Sequence, residues 1–174
     1  SKVGSQNAPV KTPGKTPGGT LSAFRKLDVD VQYPKTLEGL KKVATDYPKT
    51  PSGFDARVLL GGLYLDHGHP EKAIEWYSSA VAQAPDLYLK LLTLQTLGTA
   101  YENAKKTNEA IQIYRQIVDS GQESLKGEAL SAMARGYEIQ NDWTQALQTY
   151  ESIISEMAGT PHAKTEELLK SRLP

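Results

Sequence analysis

The chain has no cysteine, and only two tryptophans, two phenylalanines and two methionines among 174 residues. Without thiols there are no disulfides and no thiolate metal sites, and the redox compartment stays open. No apolar run is long enough to cross a bilayer, and the N-terminus carries no signal-peptide core. Any export or anchoring segment is therefore expected outside this sequence. No glycine-rich run is placed to cradle phosphate, and no serine sits in a nucleophile-elbow pattern. Neither sign of charge is in excess, with 20 basic and 20 acidic residues, but the balance hides an asymmetry. Residues 1–26 hold Lys2, Lys11, Lys15, Arg25 and Lys26 and no acid, which leaves 15 basic against 20 acidic residues in the remainder. A body with an acidic surplus argues against nucleic-acid binding, which needs a basic face.

What the chain does have is a repeat. Gly61, Tyr64, Ala73, Tyr77 and Ala80 are answered by Gly98, Tyr101, Ala110, Tyr114 and Ile117, and again by Ala134, Tyr137, Ala146, Tyr150 and Ile153. The steps from Tyr64 to Tyr101 to Tyr137 are 37 and 36 residues, as are those from Ala73 to Ala110 to Ala146. A fixed period of this length, built on two amphipathic helices and a turn, marks a solenoid. The small residue and the alanine about twelve positions later fall on facing sides of the two helices, so that their axes can approach closely. The second tyrosine follows that alanine by one helical turn and lies on the same face. Six of the nine tyrosines occupy these positions and so belong to the core.

At these residues the chain resembles the tetratricopeptide repeat family, whose pattern runs small residue, Tyr, Ala, aromatic, Ala, Pro. The resemblance covers about residues 54–158. It implies an all-α, right-handed α-solenoid with three full repeats, near 54–87, 91–124 and 127–160. The inter-helix turns align as Asp66–Glu71, Asn103–Glu109 and Ile139–Thr144. Pro85 is read as ending the second helix of the first repeat.

The ends are read from composition and caps. Residues 1–20, with KTPG twice in tandem, bury too little apolar surface to offset their ordering entropy and read as a flexible linker ahead of a repeat domain at 21–174. Residues 21–27 read as one short helix behind Thr20. The alternation Asp28, Val29, Asp30, Val31 predicts an extended segment up to Pro34. Residues 35–47, with Leu37, Leu40, Val43 and Ala44 on one face, predict the second helix of a degenerate N-terminal half repeat. Thr160 and Pro161 open a C-terminal capping helix to about residue 172, whose Leu168, Leu169 and Leu173 would cover the end of the stack. About eight helices and no sheet are expected.

Chemistry-bearing residues are few. His67 and His69 share one turn with Asp66 but lack further ligands, so no metal and no cofactor is expected. His162 is isolated and supports no nucleophile–base pair. Trp76 is read either as packing on the adjacent repeat or as marking a contact surface, and Trp143 opens a second helix. The reading is non-catalytic.

The resemblance supplies the candidate site. In that family the first helix of each repeat lines a concave groove at the second, fifth, ninth and twelfth positions. These are Asp55, Val58, Gly62 and Leu65, then Leu92, Gln95, Thr99 and Glu102, then Glu128, Ser131, Arg135 and Glu138. The groove is thus expected to be apolar at one end and mixed-acidic at the other. The family's clamp for chaperone C-termini is absent, because its positions hold Val58, Gly62, Thr96, Glu128 and Ala132. The expected function is a protein–protein interaction module taking a peptide or partner protein, with no small-molecule substrate. A structural or oligomerisation module, or an accessory domain of a larger protein, is the alternative. The period and the YPKTP junction at 47–51 are also similar to bacterial cell-envelope repeat proteins, including ancillary subunits of the Sec translocon. That likeness implies a membrane tether and the periplasmic side of the inner membrane, with the cytoplasm as the alternative.

Overall fold

A computed structural model of the protein describes residues 28–156, 158–159 and 170–171. The expected linker, the helix at 21–27 and the capping helix lie outside these residues. Eight helices and no strand are found among the described residues: α1 (Val29–Gln32), α2 (Pro34–Asp46), α3 (Pro51–Asp66), α4 (Pro70–Ala82), α5 (Leu87–Asn103), α6 (Thr107–Asp119), α7 (Glu123–Ile139) and α8 (Trp143–Glu156). From α2 onward each helix packs chiefly on its neighbours in the chain. The chain is thus an α-solenoid in which α3–α4, α5–α6 and α7–α8 are successive hairpins.

Caps set where the first helices begin, three to four residues earlier than the repeat pattern places them. Thr50 Oγ accepts from the Gly53 N–H at 3.1 Å with Pro51 in the first turn, and Asp86 Oδ1 accepts from the Leu89 N–H at 2.8 Å. α4 stops at Ala82, before Pro85. The segment read as extended is instead the one-turn helix α1, capped by Asp28 Oδ1 on the Asp30 N–H at 3.1 Å. Its reason is tertiary: Val29 is fully buried, and Asp30 is drawn in by partners on α3 and α4. Pro34 begins α2 rather than closing a strand, with Tyr33 non-helical before it.

The repeat positions form the core. Ala73, Ala110 and Ala146 are buried, and so are Ala80, Ile117 and Ile153. A Cβ on Gly61 would lie 2.7 Å from the Tyr77 ring, and one on Gly98 would lie 2.6 Å from the Tyr114 ring. The second helix's tyrosine therefore lies flat on the first helix's glycine, which is why that position must be small. Trp76 is half-buried and packs against this core.

All three hairpins turn in the same way. Gly68 (φ 76°), Lys105 (φ 58°) and Asn141 (φ 59°) are left-handed at equivalent places. The next N–H bonds back to the carbonyl of the repeat tyrosine: His69 to Tyr64 at 2.8 Å, Lys106 to Tyr101 at 2.9 Å and Asp142 to Tyr137 at 2.9 Å. This six-to-one bond satisfies a carbonyl that the helix end would otherwise leave open.

Candidate functional site

The first helices α3 and α5 flank a trough of about 470 Å³. Its wall on α3 is Phe54, Asp55, Val58 and Leu59, and its wall on α5 is Leu89, Leu92, Thr93 and Thr96. Leu59 is 56% exposed, and Leu87 and Tyr88 at the start of α5 are also exposed. Apolar surface left open in a concavity is the usual mark of a binding site. The threonines offer little polarity, since the Thr93 hydroxyl donates to the Leu89 carbonyl at 2.8 Å and that of Thr96 to the Thr93 carbonyl at 2.9 Å.

Of the expected groove residues, the structure brings Asp55, Val58 and Leu92 together in this trough. Gln95 is half-buried one turn along α5, and its carbonyl accepts from the Thr99 hydroxyl at 3.2 Å. Leu65 lies apart from the trough and packs against the core. Glu102 and Arg135 meet in a second, smaller pocket of about 190 Å³ at the turn end, with Ile111 and Ile139. Burial raises the Glu102 carboxyl above its ordinary value, while the Arg135 charge and the Tyr114 hydroxyl oppose the rise. Glu138 accepts from the Tyr150 hydroxyl at 2.9 Å, and Glu128 is exposed on α7. Ser131 is buried, with its hydroxyl donating to the Gly127 carbonyl at 2.9 Å.

Sequence reasoning missed Leu59 and Leu89, and named Thr96 only as a position of the absent clamp. Each sits one helical turn from a residue placed in the groove, Asp55 or Leu92, so the helical period could have found them. It also missed a buried arginine. Arg57 is 7% exposed, and its guanidinium donates to Ala44 O at 2.6 Å, Gly53 O at 2.7 Å, Pro48 O at 3.4 Å and Ser79 Oγ at 3.0 Å. It joins the end of α2 to α3 and α4, and so fixes the trough's first wall from behind.

A third missed group centres on Asp30. Its carboxylate accepts from the Lys72 ammonium at 2.6 Å and the Tyr64 hydroxyl at 2.9 Å, and Lys41 lies 3.7 Å away. The bond from Lys72 and then that from Tyr64 hold the Asp30 carboxyl below its ordinary value. The two histidines of the first turn face α1 and its flanks. The Nδ1–H of His67 donates to Leu63 O at 2.8 Å and its ring stands edge-on to Tyr33, while His69 Nε2 lies 3.8 Å from Asp28. Among the described residues no cluster of three potential metal ligands occurs, and no helix is long and apolar enough to cross a membrane.

Three family models described as tetratricopeptide repeat match residues 40–88, 93–120 and 129–161, together more than half of the chain. Two solved structures of a kinesin-light-chain-like protein of Podosopora anserina with nearly identical TPR-like repeats are similar, each with a TM-score of 0.65. They share 21% and 20% identity with this chain and cover 82% of it, against 78% and 79% of their own length. The crystal structure of MamA is similar with a TM-score of 0.57 and 18% identity, over 84% of this chain and 86% of that one. At such identities the likeness is one of fold. A search of curated proteins gives no match. Repeat period, hairpin geometry and matched segments agree, and the chain belongs to the tetratricopeptide repeat family.

Proposed function

We propose that this protein is a non-catalytic interaction module that seats a segment of a partner protein in the trough between α3 and α5. Tetratricopeptide repeats form a protein-interaction scaffold, and one observation picks out the trough. Val58, Leu59, Leu89 and Leu92 line an open concavity that no other part of the described chain fills. The rigid repeat stack holds both walls, so a partner binds a preformed surface with little ordering cost on this side. Asp55, Gln95, Thr99 and Arg135 add polar contacts along the first helices, while Glu102, Glu128 and Glu138 give that face its acidic end.

Photo-crosslinking tests the assignment. A crosslinker at Leu59 in the trough is expected to give a discrete protein adduct in the native host, and one at the exposed Glu75 on α4 is not. An adduct from Glu75 with none from Leu59 moves the site to the second-helix face. The YPKTP junction and the repeat period support a bacterial cell-envelope setting for the module, with a tether outside this sequence and an accessory role in assembly or translocation. Fractionation of the native protein with the cytoplasmic pool would overturn that setting.

A further inference from the structure

The trough's lining carries one charged residue, Asp55. Asp55 is exposed on its α3 wall, and the same repeat position is Leu92 on α5 and Glu128 on α7. The side chain of neither Asp55 nor Glu128 has a hydrogen bond or an ion pair among the described residues. Some carboxylates elsewhere are paired, Asp30 with Lys72, Asp46 with Lys42, Glu151 with Lys170 and Glu156 with Lys126. Others such as Glu38, Glu71 and Glu109 are not paired among the described residues, so what sets Asp55 apart is its place on the trough wall. Along the groove positions there are four carboxylates, Asp55, Glu102, Glu128 and Glu138, and one cation, Arg135. Arg135 is already drawn to Glu102, and Lys126 on α7 is held by Glu123 and Glu156. The charged side chain in the trough's lining is thus the carboxylate of Asp55, and the groove positions beyond it on α5 and α7 carry a net negative charge.

Resting on the groove reading above, we infer that the occupant is a partner segment with a short aliphatic anchor flanked by lysine or arginine. The anchor fills the trough against Val58, Leu59 and Leu92, and the flanking cations meet Asp55 on one side and Glu128 on the other. An acidic flank would bring like charges together at both places, so the groove selects against it as well as for its opposite. Exposed pairs of this kind act mainly on specificity and association rate, and salt screens them.

The test uses the full chain and three dye-labelled peptides that share a leucine-rich anchor and differ only in their flanks: lysine, serine or glutamate. At about 50 mM salt the lysine-flanked peptide is expected to bind about tenfold more tightly than the glutamate-flanked one, with serine between, and the spread is expected to collapse near 0.5 M. The double variant Asp55→Lys with Glu128→Lys changes two exposed, unpartnered side chains and should invert the order. Leu59→Glu should weaken all three peptides together. Equal binding of the three, or a preference that the double variant leaves intact, overturns the charge inference and leaves the trough standing as a site. Failure of all three to bind overturns the trough itself.

Discussion

Replacing Arg57 with methionine keeps the apolar stem and removes the guanidinium, which isolates what its hydrogen bonds contribute. Four oxygens lose their donor: the carbonyls of Ala44, Pro48 and Gly53, and the Ser79 hydroxyl. Gly53 lies within α3, but Ala44 belongs to the last turn of α2, where carbonyls lack intrahelical partners, and it is buried. Each buried acceptor left unpaired costs about 1–3 kcal/mol. Relief of the guanidinium's own desolvation offsets part of this, because its four hydrogen-bond partners are neutral oxygens and no carboxylate repays the burial. The net expectation is a loss of about 2–4 kcal/mol, or roughly 5–12 °C in Tm for a domain of this size. Arg57→Lys should recover only part of it, since a compact ammonium cannot reach α2, α3 and α4 together. Thermal and urea unfolding followed by circular dichroism gives the magnitude, and hydrogen exchange should show α2 amides opening first. R57M within about 0.5 kcal/mol of the parent would refute the argument that these bonds hold α2 on the stack.

Four further perturbations test other parts. Gly98→Ala puts a methyl group 2.6 Å from the buried Tyr114 ring and should cost about 1–3 kcal/mol in urea unfolding, whereas a neutral outcome would deny the close approach. Lys105→Gly relieves a left-handed residue (φ 58°) in the second hairpin turn and should add roughly 0.5–1 kcal/mol of stability by the same assay. Asp30→Asn removes a carboxylate whose folded pKa is depressed. The loss should be under about 1 kcal/mol at pH 7, because the side chain is 36% exposed, and should fade as pH falls below 3.8. Burial pushes the Tyr114 hydroxyl up to about 12 from 10.0, so its contribution is complete below pH 10 and is lost as pH rises toward 12. Tyr114→Phe should therefore flatten the alkaline limb of the stability profile, and an unchanged limb would count against that burial.

The repeat was legible because it is written twice over, in spacing and in residue size. Tyr64, Tyr101 and Tyr137 marked the hairpins, and Gly61 and Gly98 marked where a ring must lie flat on the backbone. Helix starts were less legible, since the repeat pattern begins inside each first helix while Thr50 and Asp86 cap it earlier. Asp28–Val31 misled outright. Its alternation of acid and valine has a strand's period, yet four residues cannot choose a conformation against a packed surface that offers Asp30 an ammonium and a phenol. Within the site, Asp55, Val58 and Leu92 were named in advance and lie together, while Leu59 and Leu89 were not named. An exposed leucine at helical spacing is indistinguishable in sequence from a buried one.

By itself the sequence determined the all-helical solenoid, its period and its tyrosine-filled core, because steric fit between a small residue and a ring on the facing helix of the same hairpin repeats along the chain. The tertiary structure alone decided three things: that α1 is helical, that Arg57 is buried and joins three helices, and that the open apolar surface lies between α3 and α5. Each depends on groups from different helices converging, and local spacing fixes which face a residue takes but not what stands opposite it.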